Sequence, residues 1–386
     1  MLQPALVTKN TWNTFKFIQI SLQFLTFKNI IVLTQIVEIE EFLKTQQSGI
    51  FVIDVRTPAE FEHGHIPGAK NLPLFSNEER ALVGTTYKQI SRNEAILQGL
   101  KFVGPRLHEL AQEGLGYSHT KKVLVHCWRG GLRSASMSWL LNIMGVETCT
   151  LSKGYKAFRN YVLQTFERPY KFIVLGGKTG SAKTHILWEL RKQGEQVIDL
   201  EQLADHRGSA FGRIGQKEDI TQEQFENSLA MELQSFDLKR PIWVEDESRH
   251  VGRIVIPLSI WDLMRISQVI YLNIPQIARV EFLMSQYGAT NEIAFLKKAF
   301  FDIKKKLGNV RFLEAITALE ANDLPLACKI ALDYYDKAYE YGLEKRDPNT
   351  VHKIQAESIN MQFIVKQLLE QVRSNENIIE DIREEI

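Results

Sequence analysis

Short β-branched and apolar runs recur along the chain, and stretches with helical spacing follow them. Ile50-Phe-Val-Ile-Asp-Val55 and Lys122-Val-Leu-Val-His126 read as buried strands. Leu132 to Met144 carries its apolar residues at helical spacing. Cys127 therefore falls between a strand and a helix N-terminus. A second unit begins near Tyr170, with strands expected over Lys171-Phe-Ile-Val-Leu175, Gln196-Val-Ile-Asp-Leu200, Pro241-Ile-Trp-Val-Glu-Asp-Glu247 and Gln268-Val-Ile-Tyr-Leu-Asn273. A helix is expected from about Lys183 to Lys192. Strands alternating with helices imply an α/β fold with a parallel sheet and helices on both faces. From about Ile277 to Val372 the pattern is mostly helical and predicts no further strand.

These shifts divide the chain into an N-terminal extension (1–35), a first α/β domain (36–166), a second α/β domain (167–276), a helical region (277–374) and a frayed acidic tail (375–386). Glu167-Arg-Pro169 reads as the linker between the α/β domains. A length of 386 residues supports two cores. Phe15 to Ile36 is apolar, but Lys16, Gln19, Gln23, Lys28 and Asn29 interrupt it. It is too short in uncharged length to span a membrane, and no cleavage pattern follows. A loosely packed extension is expected there. Net charge is +1, so nucleic acid would have to be held by a local patch. Cys127, Cys149 and Cys328 show no clustered spacing. That excludes a disulfide framework or zinc site and fits the reducing cytoplasm.

Two loops carry the candidate chemistry. In His126-Cys-Trp-Arg-Gly-Gly-Leu-Arg-Ser134, Gly130 and Gly131 let backbone N–H groups turn inward, and Arg129 and Arg133 add positive charge. A thiolate at Cys127 is stabilised there, and a tetrahedral anion can dock above it. Cys149 and Cys328 have no such setting. Gly177-Lys-Thr-Gly-Ser-Ala-Lys-Thr184 follows a strand and opens a helix, as a Walker A loop requires. Gly177, Thr179, Gly180, Ser181 and Lys183 would hold a diphosphate, with Thr184 on Mg²⁺. Ala182 replaces the usual glycine; it crowds the phosphate unless its φ is negative. Glu245 and Asp246, followed by Glu247, could position a metal or form a solvated strand edge; no metal is firmly assigned. Asp205-His-Arg-Gly-Ser-Ala-Phe-Gly212 is a glycine-rich loop that could face the P-loop.

Asp54-Val-Arg-Thr-Pro-Ala-Glu60, His65 and the cysteine loop together resemble the rhodanese domain. The resemblance implies that Asp54, Arg56 and Glu60 are structural ion-pair partners and His65 a packed loop residue. Cys127 to Arg133 spans seven residues, one more than in many sulfur-transferring rhodaneses, and His-Cys-x5-Arg also resembles cysteine phosphatases. Chalcogen transfer and phosphate-ester hydrolysis both remain open on these residues. A rhodanese-like domain followed by a P-loop NTPase-like parallel-sheet domain and a C-terminal helical region resembles the tRNA 2-selenouridine synthase family. Asn77-Glu-Glu-Arg80, Val83-Gly-Thr-Thr-Tyr-Lys88, Gly154-Tyr-Lys-Ala-Phe-Arg159, Asp205-His-Arg-Gly-Ser209 and Glu245-Asp-Glu-Ser-Arg249 extend that resemblance. Lys153 departs from it, standing where a glycine commonly precedes Gly154.

The family implies conversion of a wobble 2-thiouridine in tRNA to 2-selenouridine through an S-geranyl intermediate. Geranyl diphosphate and selenophosphate are the implied co-substrates, with no tightly bound cofactor. The P-loop would take the diphosphate. Cys127 would receive selenophosphate or its selenium, with Arg129 and Arg133 on the phosphate. Contact with the selenophosphate-supplying enzyme is a further implied partnership. For tRNA, Lys304-Lys-Lys306 and Arg311 could touch phosphates, or form a solvated helix face. Tyr287, Tyr334, Tyr335, Tyr339 and Tyr341 could stack on bases, although helically spaced aromatics are more often core.

Overall fold

The computed structural model describes residues 34–205, 220–287 and 293–384. The loop expected over 206–212 lies outside the described residues. Two compact units divide between Val162 and Leu163, inside the helix Tyr155–Thr165, which is described with the first unit.

In the first unit the described elements are β1 (Gln35–Val37), α1 (Ile39–Gln47), β2 (Val52–Asp54), α2 (Pro58–His63), β3 (Lys70–Asn71), α3 (Asn77–Gln89), α4 (Arg92–Val103), α5 (Leu107–Gly116), β4 (Lys122–His126), α6 (Leu132–Ile143), β5 (Glu147–Leu151) and α7 (Tyr155–Thr165). The strands form one sheet in the order β1-β5-β4-β2-β3. Every pairing in it is parallel. The apolar run of β4 is read correctly from sequence because a parallel strand covered on both faces must be apolar throughout. Val123, Val125, Met137 and Leu141 pack with the Cys127 side chain in the core beneath it. Sequence patterning misses β1 and β5. β5, Glu-Thr-Cys-Thr-Leu, is short of apolar residues, and β1 has only three residues, with Ile36 exposed. Through β1 the sheet takes in Gln35, which patterning assigns to the extension.

The second unit carries β6 (Phe172–Gly177), α8 (Lys183–Lys192), β7 (Gln196–Ile198), α9 (Leu200–Leu203), α10 (Gln222–Gln234), β8 (Ile242–Glu245), β9 (His250–Val251), β10 (Ile254–Val255), α11 (Leu258–Ile266), β11 (Gln268–Asn273), α12 (Gln276–Tyr287), α13 (Ile293–Leu307), α14 (Asn309–Glu320), α15 (Leu324–Leu343), β12 (Val351–Gln355) and α16 (Met361–Glu384). Its main sheet is parallel in the order β12-β11-β6-β8-β7. β9 and β10 pair as a separate antiparallel ladder.

The expectation of no strand beyond Ile277 is corrected by β12, which lies against β11 with Val269 opposite Val351. Only Ile354 of Val-His-Lys-Ile-Gln is buried, so this edge strand lacks an apolar signature. Ile364, Val365 and Leu368 of α16 then return to pack on Ile186, Leu187 and Leu190 of α8. The α16 backbone stays helical through the acidic residues to Glu384, where a frayed tail is expected from sequence. Between β11 and β12, helices α13 to α15 build a smaller core around Phe300, Phe312, Ala315, Leu319 and Ile330.

Candidate functional site

β4 delivers Cys127 into the turn before α6, and the sulfur lies in the turn, 3% exposed. The Gly131 N–H donates to Sγ at 3.3 Å, and the Ser134 hydroxyl lies 3.3 Å from it. That hydroxyl is also 3.1 Å from the Gly131 carbonyl. It can donate to the carbonyl beside a thiol and turn to donate to a thiolate. Burial alone would raise the Cys127 pKa, but the Ser134 hydroxyl and the N–H groups of Gly131, Ser134 and Arg129 outweigh it and hold the thiol below its ordinary value. Burial outweighs the Arg279 charge at Cys328 and pushes it to about 11; it also outweighs Lys122 and raises Cys149.

The turn is closed from behind by Gly154. Its φ is +58°, and a Cβ there would overlap the Cys127 carbonyl and stand 2.6 Å from the Gly130 nitrogen and 2.8 Å from that of Arg129. Tyr155 and Lys156 donate their N–H groups to the carbonyls of Cys127 and Trp128. Below it, Asp54 accepts from the Arg56 guanidinium at 2.6 Å, and that guanidinium stacks 3.7 Å over Tyr155. His126 is fully buried, and burial lowers its pKa and keeps the ring neutral. Glu60 accepts from the Thr57 N–H in a capping box and from Arg133 at 2.7 Å. Asp54, Arg56 and Glu60 thus occupy the structural positions expected of them, and His65 stacks on Phe61 at 3.9 Å.

Arg133 is tied to Glu60, whereas Arg129 is exposed and without an ion pair among the described residues. Lys153 and Lys156 are exposed at the same turn, and the Lys153 backbone nitrogen stands 3.0 Å from where a Gly130 Cβ would sit. Lys153 has φ +56°, so the departure from glycine keeps the left-handed backbone. Sequence reading did not single out Ser134 as a donor or Lys153 and Lys156 as rim charges.

At pH 7 a thiol titrating near 11 is only about 10⁻⁴ ionised. Iodoacetamide is therefore expected to label Cys127 at lower pH than Cys149 or Cys328, as peptide mass mapping from pH 6 to 10 would show. Gly154→Ala should move the Cys127 onset up by about one pH unit by spoiling the N–H ring. A common onset for all three thiols would remove the argument for an activated sulfur.

In the second unit Gly177 ends β6 and Lys183 opens α8. The Lys183 ammonium folds back onto the Gly177 carbonyl at 2.8 Å. The Thr184 hydroxyl donates to Glu201 at 3.2 Å. Ser181 is buried and its hydroxyl has no hydrogen-bond partner, the condition a phosphate oxygen would relieve. Thr179 accepts from Arg279, itself paired with Asp336 at 2.7 Å, and Gly180 at φ +82° packs against Leu283.

Ala182 has φ +61°, so a negative φ does not explain its tolerance. The left-handed conformation costs a non-glycine residue about 1 kcal/mol. Its methyl is buried in the α8 core, a gain of about 0.8 kcal/mol that nearly offsets the strain.

Glu245 is fully buried and accepts from the Leu200 N–H. Burial, then Asp199, Glu201 and Glu247, drive its pKa well up. Burial and Glu201 push Glu247 to about 8. Asp246 is engaged on both oxygens, by Arg346 and by the Tyr339 hydroxyl. Tyr339 in turn accepts from the Gly177 N–H at 2.9 Å. The carboxylate next to Thr184 is Glu201, on the four-residue helix α9. Sequence reading passed over Glu201, Arg279 and Arg346 because they sit outside the motif strings, and named Tyr339 only as a residue that could stack on bases, not as a partner of Asp246 and Gly177. Of the other tyrosines, Tyr334 and Tyr335 pack against the helical core, and Tyr341 is exposed under Lys345. The side chain of Tyr287 lies outside the description.

The family model described as the tRNA 2-selenouridine synthase AAA domain matches residues 170–371, and that of the rhodanese-like domain matches 38–161. A protein named tRNA 2-selenouridine synthase from Nitrosomonas eutropha is 35% identical over 354 residues, covering 78% of this chain and 90% of the relative. One of the same name from Bdellovibrio bacteriovorus is 35% identical over 356 residues, covering 80% and 92%. A third, from Hydrogenovibrio crunogenus, is 32% identical over 346 residues, covering 80% and 93%. These likenesses run through both the cysteine loop and the P-loop, and the chain belongs to the tRNA 2-selenouridine synthase family.

Proposed function

We propose that this chain replaces the sulfur of a wobble 2-thiouridine in tRNA with selenium, through an S-geranyl intermediate made from geranyl diphosphate. The observation that carries the reading is the Cys127 sulfur, held by the Gly131 N–H and the Ser134 hydroxyl in a chain that also has a phosphate loop. In the first half-reaction the thiocarbonyl sulfur attacks the prenyl carbon, and diphosphate leaves. Lys183 and the unpaired Ser181 hydroxyl are the groups suited to receive it. Mg²⁺ takes hard oxygen ligands; Thr184 and Glu201, 3.2 Å apart, fit it and would hold it. There it would offset charge on the leaving diphosphate. In the second half-reaction the Cys127 thiolate attacks the phosphorus of selenophosphate and releases hydroselenide, which displaces geranylthiolate from the base; water then cleaves the S–P bond, phosphate leaves and the thiolate is restored. Arg129 faces solvent to meet the phosphate, and Arg133, fixed by Glu60, lends positive charge. S-alkylation makes the sulfur on the base a better leaving group. The reading places the chain in the cytoplasm beside the enzyme that supplies selenophosphate. No helix among the described residues is long and apolar enough to cross a membrane.

The test is nucleoside mass analysis of 2-thiouridine tRNA after incubation with the full chain, geranyl diphosphate and selenophosphate. The expected products are 2-selenouridine with both co-substrates and geranylated nucleoside when selenophosphate is omitted. An unchanged tRNA, together with hydrolysis of a phosphate ester, would overturn the reading in favour of phosphatase chemistry.

A further inference from the structure

The turn between α13 and α14 carries a surface that neither anion loop uses. Helix α13 holds five lysines against one aspartate. Some of the local charge is neutralised in place: Lys297 pairs with Glu320 at 2.9 Å, and Arg311 lies between Glu314 at 3.6 Å and Asp333 at 3.4 Å. Arg311 is half exposed, and its charge is partly offset by these two carboxylates. Lys298, Lys305 and Lys306 have no ion pair among the described residues, and the Lys304 ammonium sits 4.6 Å over the Phe312 ring.

A cleft of about 510 Å³ opens at this turn, lined by Phe301, Lys304, Lys305, Gly308 and Asn309. Phe301 is 58% exposed; its ring meets Phe312 at 4.9 Å in an edge-to-face contact. A lysine face that serves solubility alone has no use for a bare aromatic ring at its centre. Exposed rings beside uncompensated cations suit single-stranded or unstacked nucleic acid, because bases have a π-face and every linkage a negative charge. The whole chain is nearly neutral, so attraction of a polyanion has to come from such a patch.

We infer that this cleft docks the tRNA: Lys304 and Lys305 take backbone phosphates, and the Phe301 ring stacks on a base. The inference rests on the reading of the chain as a tRNA-modifying enzyme and adds the surface that reading lacks. The substrate's polyanionic backbone is what the cleft's charge complements.

Binding of fluorescent 2-thiouridine tRNA to the full chain is measured as a function of salt. Removing both lysines, Lys304→Ala with Lys305→Ala, should weaken binding and lower the slope of log K against log salt by roughly 1.5, two phosphates' worth. Phe301→Ala should weaken binding about tenfold with the slope kept. Phe301 and Lys305 are exposed, and an unchanged Cys127 alkylation profile and circular dichroism spectrum confirm the fold of each variant. Wild-type protein that binds tRNA while the variants match it in affinity and slope overturns the docking surface alone. Wild-type protein that binds no tRNA overturns the functional reading and the surface with it. Variants that keep tRNA but lose binding to phosphatidylserine vesicles would show a membrane contact and overturn the inference.

Discussion

Cys127→Ser is expected to lower 2-selenouridine formation by at least ~10³-fold while geranylated tRNA accumulates. Serine keeps the size of the side chain, so the Gly131 N–H and the Ser134 hydroxyl still find an acceptor and the turn stays closed. What is lost is the anion. The loop holds the thiol below its ordinary value, whereas a hydroxyl stays far above reach of the same N–H ring. The mass analysis separates the half-reactions, because in the proposed function geranylation would draw on the P-loop and not on the sulfur. Selenation at the wild-type rate would remove Cys127 from the chemistry. Loss of geranylation as well would show that the substitution had disturbed more than one site.

The largest expected loss of stability comes from Arg346→Met. Arg346 is buried, pairs with Asp246, and donates to the carbonyls of Met264 and Arg265 at 3.0 and 3.3 Å. Methionine restores much of the volume and none of the charge. Asp246, its side chain 8% exposed, would keep only the Tyr339 hydroxyl as a donor. Breaking a buried ion pair from one side costs about 3–5 kcal/mol, or roughly 10 °C in the melting temperature of a unit this size. Adding Asp246→Asn should return a good part of it, since the orphaned charge goes. A melting point within a degree or two of wild type would mean that water reaches Asp246. The effect should extend to the phosphate loop, because Tyr339 sits between Asp246 and the Gly177 N–H. Weaker diphosphate binding in Tyr339→Phe would report that link without the loss of the ion pair.

Much of this architecture is legible in the sequence where a single segment decides the outcome. The apolar run ending at His126 and the helical spacing from Leu132 are local, and so are the glycines that let the two loops turn. They place Cys127 and Lys183 correctly at strand-to-helix junctions. What escapes is set by partners distant in sequence. β12 is a strand because β11 offers an open edge, not because of its own residues. Asp246 looks like a metal-positioning acid when read beside Glu245, yet an arginine 100 positions later engages it. Glu201 looks like an ordinary acid in a short helix until the fold sets it against Thr184. The strained φ of Ala182 cannot be read from its identity, because the burial that offsets it belongs to the α8 core.

The late arrival of β12 has a consequence for synthesis. The edge strand of the second sheet, and the α16 side chains that cover α8, emerge from the ribosome only after α13 to α15 have been made. Until then one edge of β11 is open and the apolar face of α8 is bare. The intervening helices have a core of their own and contacts close in sequence, so they can form first and bring the two ends of the gap together. A nascent chain that has emerged only as far as Thr350 would thus display the helical bundle on an unfinished sheet, and that species is the one on which a chaperone would act.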